Sequence, residues 1–203
     1  ALIALMLAGL ALPHAHATPI TIDMVTVGNP GNGTDTSGRP DTAGFGRVDY
    51  SYQIGTYSVT IGQYTEFLNA VAVTDTYSLY NTNMGTNLNV AGISRAGSSG
   101  SYNYSVINNG GDSSNRPITF VSWFDAARFA NWMANGQPTG AQDSTTTENG
   151  AYNVNGATSG SAPAKNVTNP NTSAAPTSYI PTENEWYKVA YYSPEKGGVG
   201  VPG

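Results

Sequence analysis

Two carboxylates near the end of the chain, Glu183 and Glu185, are the first candidates for acid–base chemistry. A pair of carboxylates acts as general acid and general base only when both face one reacting group. On a helix, residues two apart point to different faces. We therefore interpret this pair as a helix cap and a complement to the helix dipole. Asp125, three residues after Ser122, receives the same interpretation, and we assign no catalytic residue.

The usual transition-metal ligands are missing from most of the chain. It has no cysteine, and its two histidines, His14 and His16, lie within the first 17 residues. Residues 18–203 therefore cannot build a zinc site of the usual ligands, a copper–thiolate site, or a nucleophile that depends on histidine. Oxygen ligands for calcium occur in the loops without the spacing of a calcium loop, at Asp75, Asn81, Asp112 and Asp143. We assign no cofactor-binding or metal-binding residue.

The tryptophans and two arginines allow alternative roles. Trp123, Trp132 and Trp186 could form a sugar-stacking surface, but their apolar helical positions favour the core. Arg116 and Arg128 could pair with acids or line a groove, and the sequence does not choose between these. Asn-x-Ser/Thr triplets are about as frequent as chance allows in a chain rich in Asn and Thr, and they begin at Asn32, Asn103, Asn166 and Asn171.

Residues 1–17 have the pattern of a signal peptide. A dozen uncharged residues, too few to span a bilayer, precede Ala15-His16-Ala17, a small-x-small cleavage pattern. We expect cleavage after Ala17, the alternative being a buried helix of the mature domain. No basic region precedes the apolar run, so we expect the start of the reading frame to be missing. The mature chain, 18–203, has the length of one domain.

Charge and hydropathy exclude several partner classes. The net charge is −5, and the clustered Lys and Arg that nucleic acid requires are absent. No second apolar stretch of the mature chain is long enough to cross a membrane. The 13 Tyr and 3 Trp can build a core, and low charge with polar loops is typical of a secreted or cell-surface protein.

One helix-start pattern occurs three times and predicts three short helices. A hydroxyl residue is followed three places later by an amide or acid, at Thr60–Gln63, Thr182–Glu185 and, more loosely, Ser122–Asp125. The predicted helices begin at Thr60, span Trp123–Met133, and run from about Glu183 to Tyr192. Short strands are predicted within Ile20–Val27, Val48–Val59 and Ile118–Val121. Two long polar loops, 72–115 and 135–178, separate the helices. A loop as long as the first is usually functional or internally packed, and three prolines of the second are expected to break regular structure.

Three segments around these helix starts resemble blocks of the formylglycine-generating enzyme family, also called the sulfatase-modifying factor family. Residues 57–69, YSVTIGQYTEFLN, resemble its "EVTNxQYxxFLN" opening, although Ser58 replaces the usual Glu and Ile61-Gly62 the usual Asn-x. Residues 116–127, RPITFVSWFDAA, resemble its "PVxxVSWxDAxxF/Y" block. Residues 180–190, IPTENEWYKVA, resemble its "LPTEAEWExAA" block. The order of the three blocks makes the resemblance specific, and other segments are similar to a bacterial secreted branch.

The resemblance implies an irregular α+β fold akin to C-type lectins, with few strands and long loops. The family oxidises a cysteine of a sulfatase peptide to formylglycine, using copper and oxygen. The family's later tryptophan-rich and "RGGSW" blocks, its calcium loops and its copper-binding cysteine pair have no counterpart here. The resemblance therefore implies that the domain is incomplete at its C-terminus, and that copper and calcium would bind to the missing part.

Three functions remain open from the sequence. The first is a secreted sulfatase-modifying-factor-like protein whose catalytic part is absent from this chain. The second is a non-catalytic, C-type-lectin-like binding module that recognises a glycan or protein at the cell surface through loops 72–115 and 135–178. The third is a structural protein of the surface or matrix.

Overall fold

The computed structural model describes residues 18–36 and 43–193, together with the backbone of residues 198–199. The predicted signal peptide, residues 1–17, lies outside this part. The described fold is α+β, as predicted. Its elements in chain order are β1 (Met24–Val27), β2 (Tyr52–Gly55), α1 (Ile61–Val71), α2 (Asn83–Thr86), β3 (Ile93–Ala96), β4 (Asn103–Val106), α3 (Trp123–Ala134), α4 (Glu183–Tyr191), β5 (Tyr192–Ser193) and β6 (Gly198–Val199).

All three predicted helices form, and each begins with a complete capping box. In α1 the backbone N–H of Gln63 donates to Thr60 Oγ1 at 3.2 Å, and the backbone N–H of Thr60 donates to Gln63 Oε1 at 2.9 Å. The looser Ser122–Asp125 pattern of α3 also forms a complete capping box, in which the Ser122 N–H donates to Asp125 Oδ2 at 2.9 Å. Two unpaired donors of each helix start are thereby satisfied by local side chains.

The strands form antiparallel hairpins and pair over short lengths. In the first hairpin Met24 lies opposite Gly55 and Val27 opposite Tyr52, and in the second Ile93 lies opposite Val106. The predicted strand at 118–121 is wrong. The Ile118 N–H donates to the Val59 carbonyl at 2.9 Å, but Phe120 then takes a left-handed backbone with φ +61°, which ends the extended conformation.

Helix α3 lies between two hydrophobic clusters. Phe129 and Trp132 face the first cluster, where Phe67 of α1 lies 5.3 Å from Phe129 and 5.2 Å from Trp132 between ring centroids. Ala127 and Ala130 lie in the second cluster, which also contains residues 151, 152 and 154. Small side chains on this face of α3 let the loop after the helix approach closely.

Asparagine side chains hold much of the second long loop, 135–178, against α3. Asn131 is fully buried; its Nδ2 donates to the carbonyls of Thr147 and Tyr152 at 2.7 and 2.9 Å, and its Oδ1 accepts from the Tyr152 N–H at 2.7 Å. Asn135 donates to the carbonyls of Thr146 and Asn149 at 3.0 and 2.8 Å. Each amide replaces hydrogen bonds that irregular backbone cannot make with itself. These contacts order the loop against the helix.

No helix in the described part of the chain is long and apolar enough to span a bilayer.

Candidate binding groove

The carboxylate of Glu185 is buried at the start of α4 and accepts three hydrogen bonds. Its Oε2 accepts from the Thr182 N–H at 2.7 Å, completing the capping box. Its Oε1 accepts from the hydroxyls of Tyr50 at 2.9 Å and Tyr179 at 3.2 Å, and the Tyr52 hydroxyl donates to the Glu185 carbonyl. The cap residue thus joins α4 to β2 and to the segment before α4.

The protonation states of this cluster follow from these contacts. Burial opposes ionisation of Glu185, but the hydrogen bonds from Thr182, Tyr50 and Tyr179 outweigh it, so the carboxyl pKa falls below its usual value. Burial and the neighbouring Glu185 carboxylate raise the pKa of Tyr50, Tyr52 and Tyr179 to about 12 in each case. The phenols stay protonated and the carboxylate charged near neutral pH, so the cluster is not tuned for general acid–base catalysis.

An apolar groove of about 640 Å³ lies beside this cluster. Its size is that of a ligand-binding site. Phe129, Ala130 and Met133 of α3 line it, with residues 52–59 from one part of the chain and 177–181 from another. Glu185 is the one ionisable Asp, Glu, Lys or Arg among the lining residues, and its oxygens are already engaged. The groove therefore suits burial of an uncharged apolar group.

The three tryptophans occupy different environments. Trp132 is 1 % exposed in the first cluster, and Trp123 packs at the edge of the second, 5.3 Å from the Tyr152 ring. For these two the core interpretation is confirmed. It is wrong for Trp186, which is 54 % exposed and lines the groove. The capping box turns Glu185 inward, and the next side chain on a helix projects about 100° away.

The two carboxylates of the α4 start separate as expected. Glu183 is exposed to solvent, whereas Glu185 is buried. Asp125 belongs to the capping box of α3, where burial raises its carboxyl pKa despite the hydrogen bonds from Ser122.

Of the two roles left open for the arginines, pairing with an acid is found for Arg128, and neither role is found for Arg116 among the described residues. Arg128 is fully buried and pairs with Glu148, with Nε–Oε1 at 2.6 Å and Nη2–Oε2 at 2.9 Å. Its guanidinium carbon also lies 4.3 Å from the centre of the Tyr77 ring, a cation–π contact. Arg116 donates to the Asn109 carbonyl at 2.8 Å. Neither arginine lines the groove.

The loop residues considered for calcium each close a local turn. Asp75 Oδ1 accepts from the Leu79 N–H at 2.7 Å, and its Oδ2 lies 3.2 Å from Arg95 Nη1. Similar short-range acceptor contacts are made by Asn81 with the Asn83 N–H, Asp112 with the Ser114 N–H, and Asp143 with the Thr145 N–H. Within residues 18–36 and 43–193, no three His, Cys, Asp or Glu side chains are grouped to hold a metal ion.

Three of the four Asn-x-Ser/Thr asparagines use their amide nitrogens in hydrogen bonds. Asn32 donates to the Gly46 carbonyl at 2.6 Å, and Asn166 donates to the Gly150 carbonyl at 2.9 Å. Asn171 donates to the Ser144 carbonyl at 2.8 Å. Asn103 is exposed on β4.

Comparison with protein-family models identifies the domain. The sulfatase-modifying factor enzyme 1-like domain (FGE-sulfatase) matches residues 17–197. This chain belongs to the sulfatase-modifying factor family. Comparisons with curated proteins and with solved structures gave no match. The matched range includes all three capping boxes, so the blocks that carried the resemblance are the same features that begin the helices of this family member.

Sequence reasoning missed the groove of this sulfatase-modifying factor domain. Tyr52 and Tyr57 lie within the predicted strand region Val48–Val59, and no role was predicted for Tyr179. The available signal was weak: tyrosines cluster in 50–57, and Tyr179 precedes the capping box by three residues. No local sequence pattern predicts that residues 52–59 and 177–181 lie beside the same groove.

Proposed function

We propose that this chain is a secreted member of the sulfatase-modifying factor family whose 203 residues provide a binding surface and not the oxidising centre. The sequence contains no cysteine, and both histidines precede the expected cleavage site after Ala17. These residues therefore cannot supply the cysteine pair that the family uses to hold copper. The catalytic part of such a domain would have to lie outside this sequence.

The observation that carries the binding role is the groove of about 640 Å³ beside Glu185. Its lining is mostly apolar, and the one carboxylate there accepts hydrogen bonds from Thr182, Tyr50 and Tyr179. A mostly apolar cavity whose one carboxylate is already hydrogen-bonded supports recognition by apolar burial more than it supports proton transfer.

Copper(I) titration against a chromophoric chelator tests the non-oxidative assignment. The chain is expected to leave the copper with the chelator, and the product of the complete reading frame is the comparison sample. Tight stoichiometric copper binding by residues 18–203 would contradict the assignment. Amino-terminal sequencing of the exported protein tests secretion: the first residue is expected to be Thr18.

Recognition of a glycan is the second candidate. It is favoured by the exposed indole of Trp186 at the groove, because a flat aromatic ring can stack on a sugar face. Thr177 and Ser178 are the residues of loops 72–115 and 135–178 that line the groove, so a glycan bound there would contact α4 more than those loops. A glycan-array signal abolished by Trp186→Ala, and kept in Trp123→Ala, would establish this candidate over a polypeptide ligand.

A further inference from the structure

The segment before β1, residues 18–23, is held in place by glutamine side chains. Gln137 lies just after α3 and contacts both backbone groups of Ile20. Its Oε1 accepts from the Ile20 N–H at 2.7 Å, and its Nε2 donates to the Ile20 carbonyl at 2.8 Å. The Nε2 of Gln63, in the first turn of α1, donates to the Thr21 carbonyl at 2.8 Å. Neutral amides thus pair with neutral backbone groups and fix the path of this segment.

Apolar packing and a strand contact fix the same segment. Ile20 and Ile22 are half-buried and pack against the first hydrophobic cluster. The Asp23 carbonyl accepts from the Thr56 N–H at 2.8 Å, where the segment enters β1. Because these contacts hold residues 20–23, the nearby backbone of Thr18 has a defined position relative to α1.

A carboxylate of α1 meets the backbone nitrogen of Thr18. Glu66 lies three residues after Gln63 and accepts from the Thr18 N–H through Oε2 at 2.7 Å. No lysine or arginine forms an ion pair with Glu66 among residues 18–36 and 43–193. A neutral N–H satisfies a carboxylate oxygen as an acceptor, but it does not balance the negative charge.

Hydrolysis of the preceding peptide bond changes the charge of this nitrogen. The Ala15-His16-Ala17 pattern predicts cleavage between Ala17 and Thr18. Addition of water across that amide gives Ala17 a carboxylate, which leaves with the signal peptide, and gives Thr18 an α-amino group. An α-amino group has an ordinary pKa of roughly 7.7–8.0, so it is mostly an ammonium at neutral pH. The nitrogen that faces Glu66 thereby becomes a cation.

We propose that cleavage after Ala17 creates an ion pair between the new Thr18 ammonium and the Glu66 carboxylate, which holds the amino terminus of the mature chain on α1. The nitrogen already lies at hydrogen-bond distance from Glu66, so residues 20–23 need not move. The precursor has a neutral contact at the same place, and a charge-assisted hydrogen bond is the stronger of the two. This inference rests on the cleavage proposed for a secreted protein and goes beyond the binding role.

The α-amino pKa is the first measurement. The sample is the exported product of the complete reading frame, and the pH dependence of acylation at Thr18 is followed by mass spectrometry. The Glu66 carboxylate is expected to raise the α-amino pKa by about 0.2–0.7, and Glu66→Gln is expected to restore its ordinary value. Glu183→Gln removes an exposed carboxylate of α4 and is the matched control, expected to leave the α-amino pKa unchanged.

Hydrogen exchange of the Ile20 amide is the second measurement, because this amide reports how firmly the segment is held. The comparison sample is selectively acetylated at Thr18, which restores the neutral N–H of the precursor. Below pH 7 the free ammonium is expected to slow exchange at Ile20 about two- to fivefold relative to the acetylated form. A raised α-amino pKa stabilises the folded state below the ordinary value, so the difference is lost as the pH rises through the raised pKa.

The alternative is that Glu66 is an ordinary solvated carboxylate whose charge makes no difference to Thr18. Equal α-amino pKa values in the wild type and Glu66→Gln would establish this alternative and overturn the ion pair. Equal exchange at Ile20 with the free and the acetylated terminus would overturn it as well. Either result in a protein that begins at Thr18 refutes this inference and leaves secretion standing. A first residue other than Thr18 refutes the proposed cleavage itself, and the ion pair with it.

Discussion

Replacing Glu148 by Gln tests the buried ion pair that joins α3 to the second long loop. The wild-type carboxylate accepts from Arg128 Nε and Nη2, from the Thr147 hydroxyl at 3.0 Å, and from the Gly156 N–H at 2.7 Å. Glutamine has nearly the same shape but no charge, and its amide nitrogen cannot accept. The substitution therefore leaves a cationic guanidinium in the interior with half of its partners.

The expected loss of stability follows from burial. The side chains of Arg128 and Glu148 are 0 % and 7 % exposed, and Arg128 Nη1 already has no hydrogen-bond partner. Removing one member of such a pair costs about 3–5 kcal/mol, because the remaining charge is left desolvated. For a domain of this size that corresponds to a fall in Tm of roughly 6–20 °C.

Urea unfolding followed by tryptophan fluorescence measures the effect. The matched control is Asp49→Asn in the Arg47–Asp49 pair, which has a similar separation of 2.8 Å but side chains 55 % and 65 % exposed. Exposed pairs contribute about 0–1 kcal/mol, so the control is expected to change the free energy of unfolding by less than about 1 kcal/mol. A loss below about 1 kcal/mol in Glu148→Gln would refute the argument that burial makes this pair indispensable.

Three further predictions concern the cap, the groove cluster and the loop. Thr182→Ala is expected to lower the free energy of unfolding by about 1 kcal/mol, measured by urea titration, because the Glu185 N–H loses its acceptor. Glu185→Gln is expected to be less stable than wild type at pH 7. Because the folded carboxyl pKa lies below the usual value of 4.5, the charged carboxylate stabilises the fold at pH values above 4.5. This stabilisation is lost as the pH falls through the folded pKa, so the stabilities of the two proteins should converge as the pH is lowered below 4.5. Asn131→Ala is expected to cost at least about 3 kcal/mol, since three buried backbone groups lose partners, whereas Asn103→Ala, on an exposed β4 position, should stay within about 0.5 kcal/mol by the same titration.

Helix positions were predictable because their determinants are local. Thr60 and Gln63 lie three residues apart, and their mutual hydrogen bonds form whatever the rest of the chain does. The helical spacing of Phe67, Leu68 and Val71 is likewise a local pattern, and the face that it marks is buried in α1. The strand predicted at 118–121 failed for the opposite reason: apolar residues suggested a strand, but a strand needs a partner over several residues, and only Thr60 and Pro117 form a bridge there.

The candidate site was less predictable than the fold. The capping role of Glu185 could be derived, but its two tyrosine partners, Tyr50 and Tyr179, lie 135 and 6 residues away in the chain. The helical period predicts which side chains share a face of a helix, but it does not predict whether another segment covers that face. Trp186 was for this reason assigned to the core, although its face borders the groove.

The sequence by itself determined where the three helices begin, the family to which the chain belongs, and the absence of cysteine ligands, because each depends on residue identity or spacing over a few positions. Tertiary structure alone decided that Arg128 pairs with Glu148, that asparagine amides hold the second loop, and that residues 52–59 and 177–181 enclose a groove. These contacts join residues from 11 to more than 100 positions apart in the chain. Their geometry depends on the packing of α3 and α4, which no local pattern specifies.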